Sequence, residues 1–193
     1  MRRPGPLRAC VFCSANSGLN EKYFSAASVF SRGLAARGWE LLYGGTRVGL
    51  MGKFADEMLQ AGGVTRGAIT EGLAKTHEMP HEGLHELVVV QDLFARKKWF
   101  LEEADVFFVF PGGMGTLDEA LEVLTWKMLG SCPKPIYFMN IDQFWQSQLA
   151  TFADMSNKGV IRPGGLELYQ VCDEIDSIWG ELDEWEKANR GAC

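Results

Sequence analysis

The sequence predicts an α/β fold: a doubly wound, Rossmann-like parallel sheet with helices on both faces. Three observations lead there. Short strand candidates and longer helical patterns alternate along the chain. The strand candidates are continuous apolar runs such as VFFVF at 106–110, as expected of parallel strands covered on both faces. Glycine-containing turns follow several of these runs, as CSANSG, GGTRVGLMG and PGGMGT. Doubly wound sheets have right-handed crossovers and bind ligands beyond the carboxyl ends of their strands, where such turns lie.

Each element has its own signal. Residues 10–14 form a short buried strand. A helix over 21–37 places Tyr23, Ala27, Phe30 and Leu34 on one face and is closed by Gly38. ELLYG at 40–44 is the next strand, and 49–61 is helical, ended by Gly62 and Gly63. A strand over 64–70 leads into an irregular stretch, 71–83, and then a strand over 84–90. The pattern over 92–104 is helical, and the most apolar strand covers 106–110. A helix over 116–129, a strand over 135–140 and a helix over 143–156 follow. A short strand near 168–172 precedes the last helix, 175–189. There is no internal repeat, linker or low-complexity segment, so residues 1–193 read as a single nucleotide-binding domain with a loose tail at 1–7.

Composition narrows the partners. The net charge of −6 argues against broad attraction to nucleic acid or an anionic membrane surface. A phosphate ligand would therefore need local donors. No apolar run approaches the length of a membrane span, and MRRPGPLRAC lacks the apolar core of a signal peptide. The expected compartment is the cytoplasm. Five cysteines make no disulfide framework there. Cys10 and Cys13 form a CxxC, but residues three apart on a strand face opposite sides, which argues against a redox or metal pair.

The densest signal is PGGMGTLDE at 111–119. Gly112, Gly113 and Gly115 bring entropy costs and no packing of their own, whereas a helix N-terminus with bare N–H groups binds anions readily. One phosphate, held by glycine N–H groups and the Thr116 hydroxyl, accounts for the glycines. Thr116 and Glu119 also fit a capping box, in which Glu119 is a cap and nothing more. GGTRVGLMGK misses both the dinucleotide fingerprint and the P-loop. Alone it reads as a tight strand-to-helix turn; paired with a second such turn, Gly45 and Gly49 read as part of a ligand cradle. In DLFARKKWF, three consecutive cations, Arg96, Lys97 and Lys98, cannot all face solvent on a helix, so one points toward the ligand. If consecutive strands are adjacent in the sheet, the start of that helix lies beside the PGG turn. HEMPHEGLHE contains H-E-x-x-H as His77, Glu78 and His81, but Pro80 opposes the helix that a zinc site of this kind needs. No metal is expected; a polar loop over the site is.

VFCSANSG, YGGTRVGLMG, the Arg96–Lys97 pair, PGGMGTLDE and VLTW at 123–126 together resemble the LONELY GUY family, the cytokinin riboside 5′-monophosphate phosphoribohydrolases, over roughly residues 8–165. The resemblance implies a Rossmann-like homodimer that hydrolyses the N-glycosidic bond of a purine nucleotide such as AMP or an N6-substituted AMP, with no cofactor. It implies Arg96 and Glu119 as the catalytic pair and phosphate binding at Gly113, Met114, Gly115 and Thr116, with Gly112 in the same turn. Further ligand contacts fall on Glu78, Lys97 and Thr125. Trp99, Phe100, Trp126 and Met128, large apolar groups on helices flanking the site, are candidates for the partner face. Members are often described as lysine decarboxylases, yet decarboxylases using pyridoxal phosphate hold it on a lysine after a histidine, and no lysine here follows one. Two departures bear on substrate identity: Thr46 and Arg47 where the family usually reads GGGSVGLMG, and TEGLAKTHEMPHEGLHE in place of a proline-lysine segment. A non-catalytic nucleotide carrier resembling molybdenum-cofactor carrier proteins is the alternative on the same fold; retention of both Arg96 and Glu119 argues for the enzyme.

Overall fold

A computed structural model of the chain describes residues 5–75 and 79–190. The strands are β1 (Arg8–Phe12), β2 (Glu40–Tyr43), β3 (Val64–Thr70), β4 (Glu86–Val90), β5 (Val106–Val109), β6 (Ile136–Met139) and β7 (Gln170–Cys172). The helices are α1 (Glu21–Ala36), α2 (Gly49–Gln60), α3 (Glu71–Ala74), α4 (Leu93–Glu103), α5 (Met114–Met128), α6 (Gln146–Asn157) and α7 (Ile175–Arg190). All pairings are parallel, in the order β4-β3-β2-β1-β5-β6-β7. The order reverses between β1 and β5, so a crevice opens where the chains leaving these two strands part.

Both faces of the sheet are covered. In β5, Val106 and Phe108 enter the core formed with Phe30 and Leu34 of α1, Leu50 and Phe54 of α2, and Ile178 and Leu182 of α7. Phe107 and Val109 enter the opposite core, with Phe100 of α4, Ala120 and Val123 of α5, and Phe152 of α6. Successive side chains of one strand thus serve two cores, which is why the run is apolar throughout rather than alternating. Cys10 and Cys13 fall in opposite cores, as strand geometry requires. Burial pushes both thiols well above their ordinary value, with the Glu119 carboxylate pushing in the same direction.

Three differences from expectation have a clear physical cause. The first strand begins at Arg8 rather than Cys10, because the Arg8 guanidinium is paired with Glu40 on β2 and with Glu103, so a charged residue starts a buried strand. Within the stretch expected to be irregular, Thr70 caps the short helix α3 by accepting from the Leu73 N–H at 3.2 Å. Helix α5 starts at Met114, not Thr116: the Gly113 carbonyl accepts the first intrahelical bond, from Leu117, at 3.0 Å. No helix among the described residues is long and apolar enough to cross a membrane.

Candidate active site

Three loops at the carboxyl ends of β1, β2 and β5 are tied together by backbone. The Ser14 N–H donates to the Pro111 carbonyl at 3.1 Å, and the Ser14 carbonyl accepts from Leu50 at the start of α2 at 3.0 Å. Gly49 lies so close to the Ala15 carbonyl that a Cβ would overlap it, and its φ is +60°. Gly45 has a φ of +78°. Both positions therefore demand glycine on backbone grounds alone.

The glycines before and within α5 divide in two. At Gly112 a Cβ would overlap the Thr116 hydroxyl, so Gly112 is small because Thr116, itself buried, lies across it. At Gly113 and Gly115 a Cβ would meet nothing within 4 Å, and neither residue has the left-handed φ that would exclude a side chain. No side chain caps α5, and the N–H groups of Met114, Gly115 and Thr116 precede the first intrahelical donor. Gly113, Met114 and Gly115 are exposed. The result is an open, positively polarised helix end whose bare backbone has no cause within the fold. The capping box is absent: Thr116 is the third residue of the helix and Glu119 the sixth, beyond reach of that motif.

Arg96 is buried on α4, with its guanidinium hydrogen-bonded to backbone carbonyls. Its Nε donates to the Ala68 carbonyl of β3 at 2.8 Å and its Nη2 to the Gly44 carbonyl after β2 at 2.9 Å. Gly44 must lack a side chain because Arg96 Nη2 occupies that space. The remaining arm, Nη1, lies 3.8 Å from Glu119 Oε1, with both side chains about nine-tenths buried. That distance is too long for a direct hydrogen bond, and the two charges face each other as an ion pair. The expectation that Arg96 reaches this place through adjacent strands is corrected: β4 and β5 are separated by β3, β2 and β1. Helix α4 instead crosses the sheet from its β4 edge, and Arg96 is anchored on the ends of β3 and β2 along the way.

The other expected contacts behave differently. Lys97 Nζ donates to Asp118 Oδ1 and to Glu122 Oε2, both at 3.1 Å, while Lys98 is exposed beside Glu102. Thr125 lies six residues beyond Glu119 on α5, hence about 9 Å along the axis and on another face. Its hydroxyl donates to the Leu121 carbonyl at 2.8 Å, and it lines an apolar groove with Leu121, Met128, Phe152 and Tyr169. It does not join Arg96 and Glu119 within this chain. Glu78 and His77 lie outside the described residues. His81 makes no metal site: its Nδ1 accepts from the Gly83 N–H, so Nε2 carries the proton and donates to Asp56 Oδ1 at 3.0 Å. Among the described residues no cluster could hold a metal ion.

The two departures from the LONELY GUY pattern meet in space. Thr46 and Pro80 form an antiparallel bridge, the Arg47 N–H donates to the Met79 carbonyl at 3.1 Å, and Arg47 Nη2 lies 2.8 Å from Met79 Sδ. Met79 and Pro80 of the altered segment thus pack onto the altered glycine loop. Sequence reasoning missed Asp118 and Glu122 as partners of Lys97; their i, i+4 spacing, continued by Trp126, was the available signal.

A family model described as "Possible lysine decarboxylase" matches residues 51–182. The chain is 38% identical over 174 residues to the "Cytokinin riboside 5′-monophosphate phosphoribohydrolase" of Rhodococcoides fascians, covering 90% of this chain and 88% of that protein. It is 34% identical over 185 residues to the "Cytokinin riboside 5′-monophosphate phosphoribohydrolase LOG5" of Arabidopsis thaliana, covering 95% and 80%. Among solved structures, the molybdenum cofactor binding protein of Rippkaea orientalis matches with a TM-score of 0.72 at 20% identity, over 94% of this chain and 98% of that one. A likeness at that identity shows the shared fold alone.

Proposed function

The chain belongs to the cytokinin riboside 5′-monophosphate phosphoribohydrolase family, and from that premise we propose that it hydrolyses the N-glycosidic bond of a purine nucleoside 5′-monophosphate, AMP or an N6-substituted AMP, as a cytoplasmic homodimer. Water adds across the bond: its oxygen goes to the ribose carbon, a proton goes to the departing base, and ribose 5-phosphate remains.

The observation that carries this reading is the open glycine end of α5 together with Glu119 on the same helix and Arg96 opposite it. Glycines at 113 and 115 that neither packing nor φ demands are explained by a phosphate approaching the backbone N–H groups, where the helix dipole favours an anion. A phosphate seated there puts the ribose within reach of the next turn. Bond cleavage builds positive charge on the ribose, and the Glu119 carboxylate stabilises it and orients the attacking water. Arg96, fixed by two carbonyls, holds Glu119 in register. Glycosidases acting on O-glycosides use two carboxylates; here a purine leaves, and among the described residues Glu119 faces a guanidinium rather than a second carboxylate.

We propose the partner face at the exposed Trp126 and Met128 of α5, the adjoining Leu129 and Phe94 of α4, with Trp99 half-buried against the core beside it. Phe100 is removed from it, because it is a core residue. The carrier reading is the weaker one: its structural support is the fold alone, and a carrier has no use for a carboxylate facing an anchored guanidinium.

The test is incubation with AMP and with an N6-substituted AMP, followed by chromatography. Release of free base with stoichiometric ribose 5-phosphate supports the hydrolase. Nucleotide retained intact on the protein favours the carrier.

A further inference from the structure

We propose that Lys97 is a positioning residue, which ties α5 to α4 through Asp118 and Glu122 and thereby sets the distance between Arg96 and Glu119, rather than a contact to the substrate; this rests on the hydrolase reading above. Lys97 follows Arg96 directly, and Asp118 directly precedes Glu119. The two helices therefore carry two neighbouring rungs. One is short, Lys97 Nζ to Asp118 Oδ1 at 3.1 Å; the other is longer, Arg96 Nη1 to Glu119 Oε1 at 3.8 Å.

The two ends of the longer rung ride on different elements. Arg96 is bonded to the carbonyls of Ala68 and Gly44 and so moves with the sheet. Glu119 moves with α5. Lys97 is the cation that joins the two helices beside them, and it is well built for that. Its side chain is 11% exposed. A lysine ammonium has three donors and no acceptor; two reach Asp118 and Glu122, and the ammonium also lies 5.5 Å from the centre of the Phe94 ring. Glu122 is oriented in turn, since its other oxygen accepts from Trp126 Nε1 at 2.9 Å. A phosphate brought to Lys97 would have to sit beside two carboxylates that already share the cation. Without Lys97, Asp118 and Glu122, one turn apart on the same helix, repel each other, and Glu119 lies between them.

Four variants test this: Lys97→Met, Lys97→Arg, the double variant Asp118→Asn with Glu122→Gln, and the exposed control Lys98→Ala. The proposal expects Lys97→Met and the double variant to lose about tenfold or more in kcat for AMP with KM within about threefold, the mark of an effect on the transition state rather than on binding. Lys97→Arg, whose fork spans both carboxylates, recovers most of the rate. A rise in KM of about tenfold in Lys97→Met, with a fall in KM in the double variant where the lysine is freed, overturns the proposal. Equal kcat in all four also overturns it. Amide hydrogen exchange across 114–122 reads the tie without nucleotide: faster exchange in both Lys97→Met and the double variant supports it, and unchanged exchange overturns it. Wild-type protein with no AMP turnover would sink the hydrolase reading, and the exchange measurement would still decide whether Lys97 is the tie.

Discussion

Arg96 Nη1 faces Glu119 Oε1 across 3.8 Å, and the other two nitrogens of the same guanidinium are bonded to backbone carbonyls on β3 and after β2. One side chain thus takes its orientation from two strand ends and presents its third nitrogen to a carboxylate on another helix. Lysine has a single nitrogen and cannot reproduce the fork.

Arg96→Lys is therefore expected to lower AMP turnover by about two orders of magnitude. It also strips partners from two buried carbonyls, at about 1–3 kcal/mol. Lys98→Ala, on the solvent side of α4, is expected to change neither rate nor melting temperature. Steady-state kinetics and thermal unfolding on both variants check this. Comparable losses in the two would mean that the three cations act as a diffuse basic face.

Glu119→Gln separates chemistry from capping. The cap position of α5 is Gly113, and Glu119 lies six residues further on. The variant is expected to keep AMP affinity within several-fold and to lose most turnover, because shape is kept and charge is removed. The stability loss of about 1 kcal/mol that follows removal of a cap should be absent. Activity, calorimetric affinity and melting temperature decide together.

The glycines of PGGMG are expected to respond in opposite ways. Gly112→Ala should destabilise the protein, since a Cβ there overlaps the Thr116 hydroxyl. Gly115→Ala, with open space around it inside a helix, should stabilise by about 0.5–1 kcal/mol. The same substitution should raise KM for AMP by about tenfold, by holding the phosphate off the backbone. Thermal unfolding and kinetics on the pair test this; an unchanged KM in Gly115→Ala would remove the phosphate from this helix end.

Alkaline stability should follow the buried thiols and phenols. Burial pushes Cys10 and Cys13 well above their ordinary 9.0 and, with help from Glu181, pushes Tyr137 up to about 12. A raised pKa means that the unfolded chain releases its proton first. The stability from these groups is then complete below about pH 9 and falls as pH rises toward 12. Melting temperature measured from pH 8 upward should decline, and Cys10→Ala with Cys13→Ala should flatten the early part of the decline. The two thiols should also resist alkylating reagents in the folded protein.

Much of the fold was legible because the strands are short apolar runs separated by helical periods, and a doubly covered sheet leaves few other arrangements. What was not legible lies in charge and order. The Arg8–Glu40–Glu103 cluster hid the start of β1, because an isolated arginine reads as a loop residue until its partners are known. Strand order is not written in the sequence, so the route by which α4 brings Arg96 to Glu119 was misjudged although the pairing itself was expected. The glycines of α5 could be counted but not sorted. Only the positions of Thr116 and of the open space at 113 and 115 show which glycine serves packing and which leaves the backbone bare. The family pattern makes Lys97 a ligand contact; the i, i+4 spacing of Asp118 and Glu122 shows that the two share a helix face, and only the structure shows that this face meets Lys97.

The most direct test is the ratio of kcat/KM for AMP to that for adenosine, measured by adenine release. If the helix end holds the phosphate and its binding energy is used at the ribose, removing the phosphate should lower kcat/KM by about a thousandfold or more. Equal turnover of AMP and adenosine would contradict the account.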